Sequence, residues 1–236
     1  MNKRAIILAG GKGSRLRPFS ITFPKPLMPL GDTPILEIVI RQLIHYGFDH
    51  ITLSVNHLAE LLETFFGNGK KWGIKIDYTF EEIPMGTMGP LKRIRDLPDN
   101  FLVMNGDVLS DLNFNSFYNF HQDNNNLFTI SCCKKNISSE LGIIEYDSTG
   151  KLTNFKEKPV LSFSVSMGIY MAHKEITDYI PPNQFYGFDR LMIDLLKLKK
   201  NVSVMPFEGY WRDIGRFEDY NMASEEFEEY KKVLLK

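Results

Sequence analysis

Three glycines in four residues, Gly10, Gly11 and Gly13, follow directly on the short apolar run Ala5–Leu8. Such a turn lets backbone approach a ligand closely, and its free N–H groups suit phosphate oxygens. Arg15, Arg17 and Pro18 close the segment. Two guanidiniums in one loop repel each other unless an anion lies between them. The segment is not a P-loop, because no Gly-Lys-Ser/Thr ends it, and G-x-G-x-x-G fits no register of it. Pro24-Lys25-Pro26-Leu27 then places one lysine between two prolines that restrict the backbone on both sides. Asn105-Gly106-Asp107 follows the apolar run Phe101–Met104, and Trp211-Arg212-Asp213-Ile214-Gly215 sets a second acid among aromatic residues. An acid just past the end of a parallel strand suits Mg²⁺ held against a nucleotide phosphate. Whether Asp107 and Asp213 meet on one ion is open at this level.

The elements that must position these residues read as an α/β chain. Ala5–Leu8, Ile51–Val55, Ile74–Phe80 and Phe101–Met104 are short apolar runs suited to buried strands. Between them lie helical patterns: 34–46, with Thr33 as its cap and Pro34 in its first turn; a stretch through Leu58, Leu61, Leu62 and Phe65; and Leu91–Leu97. This alternation predicts a doubly wound, mostly parallel, Rossmann-like sheet. After about residue 127 the rhythm turns β-rich: Leu127–Cys133, Gly142–Tyr146, Leu152–Phe155 and Met167–Met171, then a helix near 187–199, a strand Val202–Met205 and a helical tail from Arg216. The expectation is one domain over 1–236, with a doubly wound half to about 126 and a β-richer half from about 127.

The chain has 236 residues, 43% hydrophobic, with 18 Phe and 10 Tyr, too many for a solvated coil. A net charge of −1 provides no global field for nucleic acid, yet residues 1–31 carry six Lys and Arg and no acid. That asymmetry points to an anionic small ligand at this end. No run reaches the roughly 18 apolar residues of a membrane span. The first residues give no signal-peptide core, and no hexapeptide repeat is present. Cys132 and Cys133 are adjacent, so on a strand they point to opposite faces and a mutual disulfide is not expected. Together these features predict a cytoplasmic protein.

In this order and spacing, G-G-x-G-S-R-L-R-P, P-K-P-L, G-D after a strand, E-K-P at Glu157-Lys158-Pro159 and W-x-D-I-G resemble the sugar-1-phosphate nucleotidyltransferases, from about residue 4 to 222. The resemblance implies the nucleotide-diphospho-sugar transferase fold, with a nucleotide-binding half to about 126 and a β-richer C-terminal sugar-binding half from about 127. It implies that Leu8, Ala9, Gly10, Gly11, Gly13 and Ser14 hold the nucleotide, and that Arg15 and Lys25 contact its phosphates. Asp107 and Asp213 become metal carboxylates for Mg²⁺, with Arg15, Lys25 and Asp107 as the catalytic set. Gly142, Glu157, Lys158 and Ser166 face the sugar phosphate. Two departures stand out: Ser14 replaces the usual threonine, and Ser166-Met167-Gly168 replaces the usual N-A-G. The stretch Glu82-Ile83-Pro84-Met85-Gly86-Thr87-Met88-Gly89 is similar to that of mannose-1-phosphate guanylyltransferases. It favours GTP, read by Glu82, Gly86 and Thr87, with a mannose- or heptose-type sugar 1-phosphate.

The implied partners are an NTP and a sugar 1-phosphate, with no nucleic acid and no membrane; a homodimer is allowed. The attacking phosphate monoester, with a second pKa near ~6, is already largely ionised at pH 7. No general base is required, and all five histidines lie outside the motifs. Alternatives remain at this level. They are thymidylyl, uridylyl or cytidylyl transfer to another sugar 1-phosphate or to phosphocholine, and a non-catalytic homologue that binds an NDP-sugar and regulates a partner.

Overall fold

The computed structural model describes residues 3–11, 13–56, 58–81 and 83–235. The first apolar run forms β1 (Lys3–Leu8). A two-residue bridge, β2 (Pro29–Leu30) with β3 (Thr33–Pro34), precedes α1 (Ile35–His45). Thr33 therefore does not cap α1: it belongs to the bridge, its hydroxyl donates to Asp32 Oδ1, and Pro34 takes the N-cap position. Then come β4 (Phe48–Val55), α2 (Ala59–Phe66), β5 (Lys75–Phe80), β6 (Asn100–Asn105) and β7 (Val108–Ser110). The helical pattern expected over Leu91–Leu97 is a short 3₁₀ turn, Gly89–Arg93. Its chain is held from outside by the 185–188 loop, which decides its path over local propensity. α3 (Phe114–Asp123) has no counterpart in the sequence reading. Asn113 caps it, accepting from the Ser116 N–H at 3.0 Å.

The second half comprises β8 (Phe128–Ser138), β9 (Ile143–Tyr146), β10 (Leu152–Lys156), β11 (Val160–His173), α4 (Phe188–Lys197), β12 (Val202–Phe207), β13 (Trp211–Asp213) and α5 (Phe217–Leu234). Among the described residues one sheet runs β12-β8-β11-β6-β1-β4-β5. β11 is antiparallel to both neighbours; the other pairs are parallel. Strands of both halves thus share one sheet. Cys132 and Cys133 are free thiols, one buried and one half-buried.

Strand alternation feeds two cores. Ala5, Ile7, Leu102 and Met104 pack with α1, α2 and α3 on one face. Ile6, Phe101 and Val103 pack with Leu191 and Leu195 of α4 on the other. A third cluster lies under α5. No helix among the described residues is long and apolar enough to cross a membrane.

Beyond Ser166 and Cys132, β11 and β8 leave the sheet as a two-stranded arm, with β9 and β10 pairing antiparallel near its tip. The branch point is a bulge at Gly168, with φ +74°. A Cβ there would come within 2.7 Å of Asn105 Nδ2, so glycine is required for both its dihedral and its space.

Candidate active site

The glycine-rich loop leaves the carboxyl end of β1 between two neighbouring strand ends. Ala9 N–H donates to Ser54 O at 2.8 Å, and Gly106 N–H donates to Leu8 O at 3.0 Å. A Cβ on Gly10 would stand 3.0 Å from Glu81 Oε1, so only glycine lets the loop pass this carboxylate at ease. Gly13, at φ +57°, opens the 3₁₀ turn Ser14–Leu16. Buried Ser20 locks it by donating to Gly13 O at 2.6 Å. Leu16 is buried, which leaves Ser14 and Arg15 exposed.

Lys25 begins a second 3₁₀ turn, Lys25–Leu27, and is buried despite its charge. Its ammonium pairs with Asp107 Oδ2. Asp107 stands two residues past β6 and accepts from the Ile214 N–H at its own carbonyl, at 3.0 Å. That bond sets Asp213, the preceding residue, beside Asp107. Burial foremost, and then the Asp107 charge, push the Asp213 carboxyl above its ordinary value, against the pull of Lys25 and Arg15. The point where a Gly215 Cβ would sit lies 3.5 Å from Arg15 Nη1 and from Asp213 Oδ2. Arg15, Lys25, Asp107 and Asp213, spread over some two hundred residues, thus meet at one place.

Asp107 also lines a cleft of about 630 Å³, with Leu8, Gly10, Gly11, Gly86 and Thr87. Asn56, Glu81, Pro84, Asn105 and residues 185 and 187–189 complete it. Gly86 and Thr87 are stapled to the 185–188 loop. Tyr186 N–H donates to Met85 O at 2.8 Å, Met88 and Gly89 donate to Tyr186 O, and Thr87 Oγ1 accepts from Phe188 N–H at 2.8 Å. Gly86 has φ +75°, and a Cβ on it would press on Tyr186 O at 2.8 Å.

Glu82 lies outside the described residues. Its neighbour Glu81 lines the cleft. Ser54 Oγ donates to its Oε1 and Met85 N–H to its Oε2, both at 3.0 Å. The rule that singles out Asp107, an acid just past a strand end, applies equally to Glu81 after β5. Nothing in the sequence marks Asn56 or Phe185, whose ring is 70% exposed at the cleft.

The residues expected on the sugar side form a separate group. A Cβ on Gly142 would sit 3.2 Å from Glu157 Oε2, so those two are neighbours on the exposed arm, and Lys158 follows at φ +41°. No hydrogen bond or ion pair among the described residues joins Glu157 or Lys158 to the Lys25–Asp107 pair. Ser166 is nearer the cleft. Its hydroxyl donates to Tyr170 Oη at 3.1 Å and accepts from the Gly168 N–H, while Met167 is fully buried in the core. The departure from N-A-G is thus absorbed by packing at Met167 and by a local bond at Ser166.

The chain belongs to the nucleotidyl transferase family, which matches residues 4–230. It is 35% identical to a UTP–glucose-1-phosphate uridylyltransferase of Synechocystis sp. over 93% of this chain and 62% of that one. It is 32% identical to a mannose-1-phosphate guanyltransferase of Yarrowia lipolytica over 92% of this chain and 62% of that one. The chain therefore spans about three-fifths of the length of the curated relatives it matches. HddC from Yersinia pseudotuberculosis, solved also in complex with GMP-PN, has a TM-score of 0.74 at 26% identity, over 95% of this chain and 99% of that one. The fold is that of the nucleotide-diphospho-sugar transferases.

Proposed function

We propose that the protein joins GTP to a sugar 1-phosphate of mannose or heptose type and releases pyrophosphate. The observation that carries this reading is the meeting of Arg15, Lys25, Asp107 and Asp213 beside the cleft that Glu81 lines. Family membership supports the reaction class. The guanyltransferase relatives and the GMP-PN complex of HddC support the base.

Asp107 and Asp213 fit Mg²⁺. Both are hard oxygen donors, and their mutual repulsion is what a cation relieves. Among the described residues no third His, Cys, Asp or Glu joins them. The remaining ligands would be phosphate oxygens and water, the usual habit of this ion. Bound there, the ion would neutralise phosphate charge and hold the reacting group in line.

The chain's own residues do the rest. A sugar-phosphate oxygen forms a bond to the α-phosphorus as the bond to the pyrophosphate oxygen breaks. The N–H groups of Gly10 and Gly11 face the triphosphate. Lys25 and Arg15 stabilise the charge that develops at phosphorus. Lys158 binds the incoming phosphate, and Glu157 and Ser166 accept or donate to sugar hydroxyls. Orientation of two polyanions is the main task, since no proton must be removed.

Glu81 would read guanine, whose N1–H and exocyclic amine are two donors for one fixed carboxylate. A second reading is uridylyl transfer, favoured by the identity to the Synechocystis enzyme. The test is pyrophosphate release from ATP, GTP, CTP, UTP and dTTP, each against a panel of sugar 1-phosphates with Mg²⁺. A preference for GTP supports the proposal. A preference for UTP transfers it to the second reading, and silence across the panel removes both.

A further inference from the structure

The four charged groups come from four segments, and one small core lies beneath all of them. Leu16 follows Arg15, Met28 lies three residues after Lys25, Leu109 two after Asp107, and Ile214 follows Asp213. All four side chains are buried in the cluster that contains Ala223, Phe227 and Leu234 of α5. Tyr220 Oη adds a bond to Pro29 O at 2.6 Å, from α5 to the strand that follows the lysine turn. The tail helix is therefore the platform of the site.

One link in this platform is polar. β13, which ends at Asp213, is anchored on both faces. On one face Trp211 Nε1 donates to Met167 O at 2.9 Å; on the other Arg212 pairs with Glu226 of α5. The surroundings of that pair are poorly satisfied. Arg212 Nε, Glu226 Oε2, Tyr210 Oη and Asp111 Oδ1 are buried atoms without a hydrogen-bond partner of good geometry among the described residues. An ion pair with unmade bonds is a weak source of stability; apolar side chains of the same volume would serve the fold as well or better. What the pair supplies is direction: the single bond from Arg212 Nη2 to Glu226 Oε1 ties β13 to one place on α5, which a non-directional apolar contact would not do.

We infer that Glu226 is a positioning residue: through Arg212 it fixes β13 so that the Asp213 carboxylate faces Asp107, and so sets the affinity of the site for a divalent cation. This rests on the proposed Mg²⁺ role of the two aspartates.

The test uses the full chain and Mn²⁺ as probe, with binding read from loss of the free-ion EPR signal. Beside it, the Mg²⁺ dependence of pyrophosphate release is measured with GTP and a sugar 1-phosphate. Wild type is expected to bind Mn²⁺. Glu226→Ala is expected to weaken that binding by about tenfold, the lower end for a residue that orients a metal ligand. Glu226→Gln, which keeps an acceptor for Arg212, should lose less. In an Asp213→Asn background, Glu226→Ala should add nothing further, because both changes act on one carboxylate. Should Glu226→Ala fail to fold by circular dichroism, Arg212→Lys, which keeps the charge but moves the donor away from Glu226 Oε1, serves in its place and is expected to weaken Mn²⁺ binding likewise. Wild-type Mn²⁺ affinity in the folded variant overturns the inference. So do independent, multiplying effects with Asp213→Asn, and so does a wild type that binds no Mn²⁺. A wild type that binds Mn²⁺ with the expected variant pattern yet releases no pyrophosphate overturns the proposed activity and leaves the positioning role standing.

Discussion

Lys25 is buried and its only ion-pair partner among the described residues is Asp107, so the two groups hold each other at the site; on the proposed reading a phosphate competes for the ammonium. Lys25→Ala should lower kcat by ~10²-fold or more, comparable to removing a key electrostatic donor. Circular dichroism should stay unchanged, since the turn is held by its prolines and by Met28 N–H to Lys25 O. Normal turnover in the folded variant would return Lys25 to a structural role. Asp213 carries a different signature. Its folded pKa lies above the unfolded value, mainly through burial. Its contribution to stability is full below the unfolded pKa and is lost as pH rises through the folded one. Asp213→Asn should therefore raise Tm at neutral pH while lowering activity. The gap in Tm should close as pH falls through the folded pKa of Asp213, where the wild-type carboxyl becomes neutral too. An Asn variant less stable than wild type at pH 7 would contradict this.

At the scale of elements, the bulge in β11 is where the sheet becomes an arm. Gly168→Ala places a side chain at φ +74° and against Asn105, which lines the cleft. The left-handed backbone alone costs ~1–2 kcal/mol, and the displaced Asn105 should raise KM for the nucleotide as well. Unfolding in denaturant and KM together check both halves of that statement. α3 is tied to the sheet by His121, which is fully buried between Thr129 Oγ1 at 2.8 Å and Asn100 Oδ1 at 3.0 Å. Burial, and secondarily the nearby His173, lower its pKa to about 4. A depressed histidine pKa means stability is present above the unfolded value and is lost as pH falls from about 6.5 through the folded value. Tm should therefore decline over that acid limb, and His121→Gln should flatten it. An identical pH profile in the variant would move the cause elsewhere.

For the whole molecule, the consequence of the shared sheet is a cleft whose walls come from distant parts of the chain. Glu81 stands on β5's end, and the 185–188 loop leads into α4, yet both line it. On the proposed reading the base is recognised there. GTP should exceed ATP, UTP and dTTP in kcat/KM by at least ~10-fold, because a rival base leaves a carboxylate acceptor unpaired at ~1–3 kcal/mol. Glu81→Gln exchanges one acceptor for a donor and should erode that preference without abolishing release. A preference for UTP that survives Glu81→Gln would place the base contact on another wall.

The local features were legible because they depend on neighbours in sequence. β1, β4, β5 and β6 follow from apolar runs, and Gly13, Lys25 and Asp107 from the turns that must follow strands. The resemblance of ordered motifs was enough to name the family. What depended on distant partners was not legible. Thr33 was expected to cap α1, but its backbone is claimed by a bridge to Leu30. Residues 91–97 were expected to be helical, but their entry is stapled to Tyr186. Nothing in the letters singles out Glu81; the end of β5 and the bonds from Ser54 and Met85 set it at the cleft. The adjacency of Asp107 and Asp213 rests on the antiparallel pairing of β13 with β7, which sets Asp213 opposite Val108, and on the Ile214 N–H bond to Asp107 O; no spacing in the chain encodes either. Sequence by itself determined which groups were available and which turns could present them. Tertiary structure decided which of them meet, because strand order, register and the support of α5 are properties of the packed chain.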